Sequence, residues 1–144
     1  MILFVCTGNT CRSPMAKTLM NRKIQELGVD ISVESCGIFV SETAATKGAI
    51  NAMKELGLEL LDHFPTQVSP AHIEEATLVL TMTTSHKDTL VSNMPEAVSK
   101  TYTVYEYATK TKKDVNDPYG GSDFEYLKTA RELEELISKM KIPI

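Results

Sequence analysis

The sequence ILFVCTGNTCRSP, residues 2–14, combines an apolar strand, a short polar loop and the start of a helix. Cys6 and Arg12 have five residues between them and lie between the end of that strand and the first turn of the helix. Backbone N–H groups at a helix N-terminus can bind an anion, and the helix dipole favours a doubly charged phosphate there. The pattern therefore predicts an anion-binding loop at this position.

The residue types in the loop suit catalysis on a phosphate. The helix N-terminus and Arg12 favour the thiolate form of Cys6, which we predict to be a nucleophile; the alternative is a buried cysteine at a strand end. The planar guanidinium of Arg12 can bind two phosphoryl oxygens at once. Ser13 is predicted to be the N-cap of the helix and to donate to the Cys6 sulfur. Gly8 and Asn9 tolerate the positive φ that inward-pointing amides require.

Composition limits the classes of partner. The chain has 144 residues, so we expect a single domain over residues 1–144. Its net charge is -4 and charges of both signs are interleaved, which argues against a nucleic-acid or membrane surface. No apolar run approaches the roughly 20 residues that span a bilayer, and no signal peptide precedes the first strand. We expect a monomeric cytoplasmic protein.

The cysteines and histidines indicate free thiols and no bound metal. Three cysteines are an odd number, which argues against a disulfide framework and for a reducing compartment. The histidines are scattered and have no cysteine or carboxylate at the spacing of metal ligands: His63, His72 and His86. We therefore predict neither a metal site nor a cofactor.

Hydrophobic periodicity predicts alternating strands and helices. Apolar residues at helical spacing predict a first helix from Pro14 to Leu27, with Gly28 as a left-handed C-cap. Strands are predicted at 2–5, 31–35, 77–81 and 100–104. Four further helices are predicted: one ended by Gly57, and others over 70–76, 85–92 and from 122 to about 140. Residues 109–121 are predicted to be a loop. The alternation is typical of a three-layer, doubly wound α/β fold with a four-stranded parallel sheet and about five helices.

Two motifs resemble those of a known family. CTGNTCRSP, residues 6–14, resembles the phosphate-binding loop of the low-molecular-weight protein tyrosine phosphatases, and Asp117-Pro118-Tyr119 resembles their second motif. The resemblance extends over the whole chain and implies the strand order 2-1-3-4. Within the family, Thr10 and Gly120-Gly121 resemble the bacterial protein-arginine phosphatases.

The resemblance implies roles for the matched residues. The Cys6 thiolate would attack phosphorus to give a cysteinyl-phosphate intermediate, and Asp117 would protonate the departing atom and then activate water. The alternative for Asp117 is a solvated loop aspartate before a proline, but the matched Cys-x5-Arg motif favours the acid. The phosphoryl oxygens would be held by the whole loop: Thr7, Gly8, Asn9, Thr10, Cys11, Arg12 and Ser13.

Thr10 is the predicted determinant of the substrate. Tyrosine phosphatases of the family usually carry Ile or Leu at this position, where it would pack against an aryl ring. The Thr10 hydroxyl can instead meet a guanidinium N–H, and Asp117 can also pair with a guanidinium. The alternative is that Thr10 only bonds within the loop. Thr7, which faces the mouth of the site in the family, points to the same polar substrate more weakly.

Other residues have a functional and a structural interpretation. Tyr119 is either a wall of the pocket or a loop aromatic packed on the body. Asn9 and Ser35 resemble positions that support the phosphate loop by hydrogen bonds, but they also suit a turn and a strand end. Cys11 could form a disulfide with Cys6 under oxidation or be a small buried side chain, as Cys36 is expected to be.

We therefore expect a phosphatase that acts on phosphorylated side chains of proteins, with phosphoarginine as the substrate. The first alternative is a tyrosine phosphatase. An arsenate reductase with the same loop would need further cysteines past the third strand, and residues 81–93 contain none. A phosphate-binding module without catalysis does not explain why Cys6, Arg12 and Asp117 are all present. By resemblance, the protein is bacterial and opposes an arginine kinase.

Overall fold

Four parallel strands form a sheet with helices on both faces in the computed structural model, which describes residues 1–60 and 62–143. The strands are β1 (Ile2–Cys6), β2 (Val33–Gly37), β3 (Leu78–Thr81) and β4 (Thr101–Thr103). Their order in the sheet is β2-β1-β3-β4, and each neighbouring pair is parallel. The predicted fold class and strand order are confirmed.

The helices lie on two sides of this sheet. They are α1 (Arg12–Leu27), α2 (Lys47–Glu55), α3 (Pro70–Glu75), α4 (Thr84–Asn93), a 3-10 helix (Pro95–Lys100), α5 (Val104–Thr109) and α6 (Asp123–Ser138). No helix in the described part of the chain has the length and apolar character that crossing a membrane requires.

Two apolar clusters hold the three layers together. Alternate residues of β1 point to opposite faces, so Phe4 packs in the cluster with α1, α2 and α6, whereas Val5 packs in the cluster with α3 and α4. All five residues of β1 are buried, as expected for a central strand covered on both faces. This burial fixes the carboxyl end of β1, from which the predicted phosphate loop starts.

Two element boundaries differ from the predictions. α1 begins at Arg12 and its N-cap is Cys11, so the prediction that Ser13 caps the helix is wrong. The Ser13 side chain lies beside the loop instead. β2 was predicted two residues too early, because its pairing with β1 starts at Ile2 and Val33 and extends to Cys6 and Gly37.

The helix α5 was not predicted from the sequence. This helix has six residues, too few to show an apolar period, but it has a capping box. The Thr103 hydroxyl accepts from the N–H of Glu106 at 3.1 Å, and the Glu106 carboxylate accepts from the N–H of Thr103 at 2.8 Å.

Candidate active site

A cleft of about 240 Å³ opens at the carboxyl end of β1. It is lined by the loop after β1 and by residues from two other connections, so the fold brings together positions that are far apart in sequence. Eight of the predicted site residues line it: Cys6, Thr7, Gly8, Thr10, Cys11, Arg12, Asp117 and Tyr119. This is where a doubly wound sheet places its ligand.

The Cys6 sulfur lies at the base of this cleft in an environment that favours negative charge. Cys6 is 2% exposed, and its sulfur accepts from the backbone N–H of Asn9 at 3.3 Å. The Ser13 hydroxyl is 2.8 Å from the same sulfur. Because the Ser13 oxygen already accepts from the Asn9 side chain, its proton is free to be donated to sulfur. These donors and the N-terminus of α1 would stabilise a thiolate.

The loop is held from behind by a polar network centred on Asn9. Its Nδ2 donates to the hydroxyls of Ser13 at 2.8 Å and Ser35 at 3.0 Å. Asn9 has a φ of 58°, as its residue type suggested, whereas Gly8 does not have a positive φ, which corrects that expectation. The backbone N–H of Thr66 donates to the Asn9 Oδ1 at 2.9 Å. The contacts expected for Asn9, Ser13 and Ser35 are therefore present.

Two histidines that were interpreted as scattered contact this loop. His63 donates from Nε2 to the backbone oxygen of Asn9 at 2.6 Å, and burial lowers the pKa of its ring. The Nε2 of His86 lies 2.8 Å from the hydroxyl of Thr7. No local pattern in the sequence marks His63, but His86 follows the end of β3, where a parallel sheet places functional side chains. Across residues 1–60 and 62–143, no three His, Cys, Asp or Glu side chains are grouped as metal ligands.

Arg12 has one donor group held by the protein and another without a partner. Its Nη1 donates to the carbonyl of Val115 at 2.9 Å, and its Nη2 is 3.7 Å from the Asp117 carboxylate. In the described part of the chain, the buried Nε of Arg12 has no hydrogen-bond partner. A buried charged donor without an acceptor is costly, so an anion in the cleft would satisfy it. The site therefore fits a phosphoryl group.

Asp117 lies at the open side of the cleft. Its side chain is half exposed, and its Oδ1 accepts from the backbone N–H of Tyr119 at 3.1 Å. Tyr119 is 61% exposed while it lines the cleft, which favours the interpretation as a wall over that of a packed loop aromatic. A carboxylate at this position can reach both solvent and a group bound against Arg12.

The other two cysteines are buried and differ from Cys6 in their surroundings. Burial, followed by the nearby Cys6 and Asp117, raises the pKa of Cys11 to about 12, and its sulfur is 3.7 Å from the Asp117 carboxylate. Burial likewise raises the pKa of Cys36. Both side chains are free thiols. They therefore remain protonated at neutral pH and are poor nucleophiles.

Gly37 also contacts the phosphate loop, although it was not among the predicted site residues. The phosphate loop packs so closely on the end of β2 that a Cβ at Gly37 would lie 2.7 Å from the carbonyl oxygen of Thr7 and 3.0 Å from the N–H nitrogen of Asn9. The same Thr7 carbonyl accepts from the backbone N–H of Phe39 at 2.8 Å. Only glycine allows this approach, and the signal in the sequence was its position at the end of a strand.

Thr10 is almost completely buried while it lines the cleft. It is 5% exposed, and its carbonyl accepts from the backbone N–H of Thr46 at 2.9 Å. Thr46 is also the N-cap of α2, so this contact ties the loop to the start of that helix. The backbone of Thr10 is therefore held in place, and the residue lines the space that a substrate would occupy.

Comparison with known proteins places this geometry among phosphatases. The model of the family described as low molecular weight phosphotyrosine protein phosphatase matches residues 1–142. A protein-arginine-phosphatase of Geobacillus stearothermophilus is 45% identical over 140 residues, which cover 96% of this chain and 92% of that protein. The tyrosine phosphatase PtpB of Staphylococcus epidermidis is 34% identical over 146 residues, which cover 97% and 96% of the two chains.

A solved structure is similar to the present one over almost its whole length. It is a mutant of the arginine phosphatase YwlE with a phosphorylated active-site serine, and it is 40% identical in sequence. The match has a TM-score of 0.93 and covers 96% of this chain and 91% of that one.

Proposed function

The chain belongs to the low molecular weight phosphotyrosine protein phosphatase family, and from that premise we propose that it dephosphorylates phosphoarginine in proteins. Members of this family are cysteine-dependent hydrolases of phosphorylated proteins. The observation that carries the proposal is Thr10, a polar residue that lines the same cleft as Cys6 and Asp117.

The proposed reaction has two steps. In the first, the Cys6 thiolate attacks phosphorus in line with the leaving nitrogen, so that an S–P bond forms as the P–N bond breaks, and Asp117 gives its proton to that nitrogen. In the second, Asp117 takes a proton from water, the water oxygen attacks phosphorus, and the S–P bond breaks. The products are arginine, inorganic phosphate and the free thiolate.

Arg12 and the loop amides would hold the phosphoryl oxygens throughout. The guanidinium of Arg12 is oriented by Val115 and Asp117, and its buried Nε, which has no acceptor among the residues that the structure describes, can donate to an equatorial oxygen. Donors that are already in place need no reorganisation as charge moves in the transition state. The network of Asn9, Ser13 and Ser35 would keep the loop in that shape.

The wall of the cleft favours a guanidinium over an aryl ring. A substrate guanidinium can donate to the Thr10 hydroxyl and to Asp117. An aryl ring would leave the Thr10 hydroxyl buried without a partner, which costs about 1–3 kcal/mol. That free energy corresponds to roughly a ten- to hundredfold preference for phosphoarginine. Thr7, which is exposed, adds a second hydroxyl-bearing residue to the lining of the cleft.

A tyrosine phosphatase is the second candidate. Phe39 is 74% exposed and Tyr119 is 61% exposed, and both line the mouth of the cleft. Two aromatic rings in this position could pack on either side of a phosphotyrosine ring. They could equally pack on the flat face of a guanidinium, so they do not favour phosphotyrosine over phosphoarginine by themselves.

The proposal is tested by measuring kcat/KM on two peptides that differ only in carrying phosphoarginine or phosphotyrosine. We expect at least a roughly tenfold higher value for phosphoarginine. A higher value for phosphotyrosine would assign the chain to the tyrosine phosphatases of its family. Because all three cysteines of the chain are free thiols, we also propose that the enzyme works in the reducing cytoplasm.

A further inference from the structure

A histidine on α4 contacts a side chain that lines the cleft. His86 lies in the first turn of α4, after the end of β3, and its Nε2 is 2.8 Å from the hydroxyl of Thr7. His86 is buried, whereas Thr7 is exposed and lines the cleft. The contact therefore joins a rigid part of the fold to the mouth of the phosphate loop.

The imidazole of His86 is neutral under ordinary conditions. Burial lowers the pKa of His86 to about 4, and the positive charge of Arg12 acts in the same direction. A neutral imidazole carries one proton, on either Nδ1 or Nε2, and the other nitrogen is an acceptor. The nitrogen that holds the proton determines whether the Thr7 hydroxyl can donate a hydrogen bond to a ligand or can only accept one.

The surroundings of the ring select one tautomer. Nδ1 of His86 is buried and has no hydrogen-bond partner among residues 1–60 and 62–143. A buried N–H without an acceptor is rarer than a buried acceptor without a donor, so the proton belongs on Nε2. Nε2 then donates to the Thr7 oxygen. The Thr7 hydroxyl proton cannot point back at His86 and is free to face the cleft.

We propose that His86 is a positioning residue that makes the Thr7 hydroxyl a hydrogen-bond donor toward an oxygen of the bound phosphoryl group. With the opposite tautomer, Thr7 would donate to His86 and offer only lone pairs to the cleft. The proposal rests on the proposed phosphate-binding role of the loop. It is independent of which amino acid carries the phosphoryl group.

The tautomer can be measured in the unmodified protein. The 15N chemical shifts of the His86 ring distinguish a protonated from an unprotonated nitrogen, and the assignment is made by the loss of these signals in the His86→Gln variant. We expect the proton on Nε2 at pH 7. A proton on Nδ1 at that pH overturns the proposal.

A double-mutant cycle tests the effect on the cleft. The probes are an aryl phosphate as substrate and inorganic phosphate as competitive inhibitor, so the result does not depend on a preference for phosphoarginine. His86→Leu and Thr7→Val should each lower kcat/KM and raise the Ki of inorganic phosphate by about tenfold, as the loss of one hydrogen bond predicts. Because both act through one hydroxyl, the double variant should lose no more than about tenfold.

Two further variants separate positioning from packing. His86→Gln keeps an N–H donor and should restore kcat/KM to within about threefold of the parent. Leu90→Ala removes a buried apolar side chain from the same helix, and Leu90 does not line the cleft, so this variant should have a lower melting temperature and an unchanged kcat/KM. Three results would each refute the proposal. The first is a roughly hundredfold loss of kcat/KM in the double variant, which would show independent effects. The others are a kcat/KM as low as that of His86→Leu in either His86→Gln or Leu90→Ala.

Discussion

The guanidinium of Arg12 and the carboxylate of Asp117 lie 3.7 Å apart, although Arg12 is the first residue of α1 and Asp117 lies in the loop before α6. Arg12 is buried and Asp117 is half exposed. The pair therefore connects a fixed phosphate-binding group to a carboxylate that solvent can reach. Such a carboxylate can exchange protons with water between the two proposed steps.

Replacing Asp117 by Asn should slow catalysis without weakening phosphate binding. The amide cannot give or take the proton that the leaving nitrogen and the attacking water require, so kcat should fall by roughly a hundredfold or more. The Ki of inorganic phosphate should stay within about threefold of the parent value, because the phosphoryl oxygens are held by Arg12 and the loop. Steady-state kinetics with phosphoarginine peptides would give both values.

The matched control for this variant is Asp114→Asn in the same loop. Asp114 accepts from the backbone N–H of Thr84 at 2.9 Å and so helps to hold the start of α4, but it does not line the cleft. The same change of charge should therefore leave kcat nearly unchanged. Equal losses in the two variants would mean that Asp117 acts only through the charge of the loop.

Replacing Cys6 by Ser should abolish turnover while the fold is retained. A serine hydroxyl is a far weaker nucleophile than a thiolate, and we expect kcat to fall by about a thousandfold or more. Cys36→Ala is the matched control, because Cys36 is buried on the opposite face of the sheet and its thiol stays protonated. Kinetics and circular dichroism of both variants provide the test, and normal turnover in Cys6→Ser would exclude the covalent mechanism.

The parts of the site that could be predicted from sequence are those built from neighbouring residues. The strand, the loop and the helix from Ile2 to Leu27 are continuous in the chain, and Gly28 adopts the predicted left-handed C-cap. Periodicity predicted the class of the sheet, whereas its order came from the resemblance to a family. Asp117 was also identified through a motif and not through any local structural signal.

Contacts from distant segments could not be predicted. Three residues reach the phosphate loop only because the fold places distant elements around it. These residues are Gly37 at the end of β2, His63 in the segment that follows α2, and His86 in α4. No local motif marks His63, and the only signal for Gly37 and His86 is that each lies at or after the end of a strand. α5 was not predicted for a different reason, because six residues are too few to show an apolar period. The one local signal for this helix is the capping box of Thr103 and Glu106.

Replacing Thr10 by Ile should shift the substrate preference. The larger apolar side chain removes the hydroxyl that would meet a guanidinium and supplies a surface for an aryl ring. We expect kcat/KM to fall by about ten- to a hundredfold for phosphoarginine and to rise for phosphotyrosine. Thr10→Val, which removes the hydroxyl and keeps the shape, should lose phosphoarginine activity without the same gain. If the parent prefers phosphotyrosine and both variants behave like it, Thr10 only shapes the loop.

The stability of the protein should depend on pH through His86. Its pKa is about 4 in the folded state, mainly because of burial and then Arg12, against the opposing charges of Asp117 and Asp114, and the ordinary value is 6.5. Between these two pH values, His86 binds a proton in the unfolded chain but not in the folded one. The contribution of the neutral His86 to the free energy of unfolding is therefore fully present above pH 6.5 and is lost as the pH falls toward 4.

Urea denaturation at pH 7 and pH 5 would measure this effect. When the pH is lowered from 7 to 5, the free energy of unfolding should fall by roughly 1 kcal/mol more in the parent than in His86→Gln, because the variant has no imidazole to protonate. Leu90→Ala should be less stable than the parent by the same amount at both pH values. Identical pH dependence in the parent and His86→Gln would show that His86 titrates normally.

Adding a methyl group at Gly37 should impair catalysis, whereas adding one at Gly48 should only destabilise the fold. Both positions are crowded: a Cβ at Gly37 would lie 2.7 Å from the Thr7 carbonyl, and a Cβ at Gly48 would lie 2.2 Å from the ring of Tyr126. Each Ala variant should therefore lose about 1–3 kcal/mol of its free energy of unfolding.

The two variants differ in what must move. At Gly37 the obstacle is the backbone of the phosphate loop, whose displacement would disturb the donors around the Cys6 sulfur, and we expect kcat/KM to fall by roughly a hundredfold. At Gly48 the obstacle is the ring of Tyr126, a residue of α6 that does not line the cleft, and kcat/KM should stay within about threefold of the parent. Melting temperatures and kcat/KM of the two variants, measured together, separate these effects. Equal losses of activity would mean that the loop does not depend on its contact with Gly37.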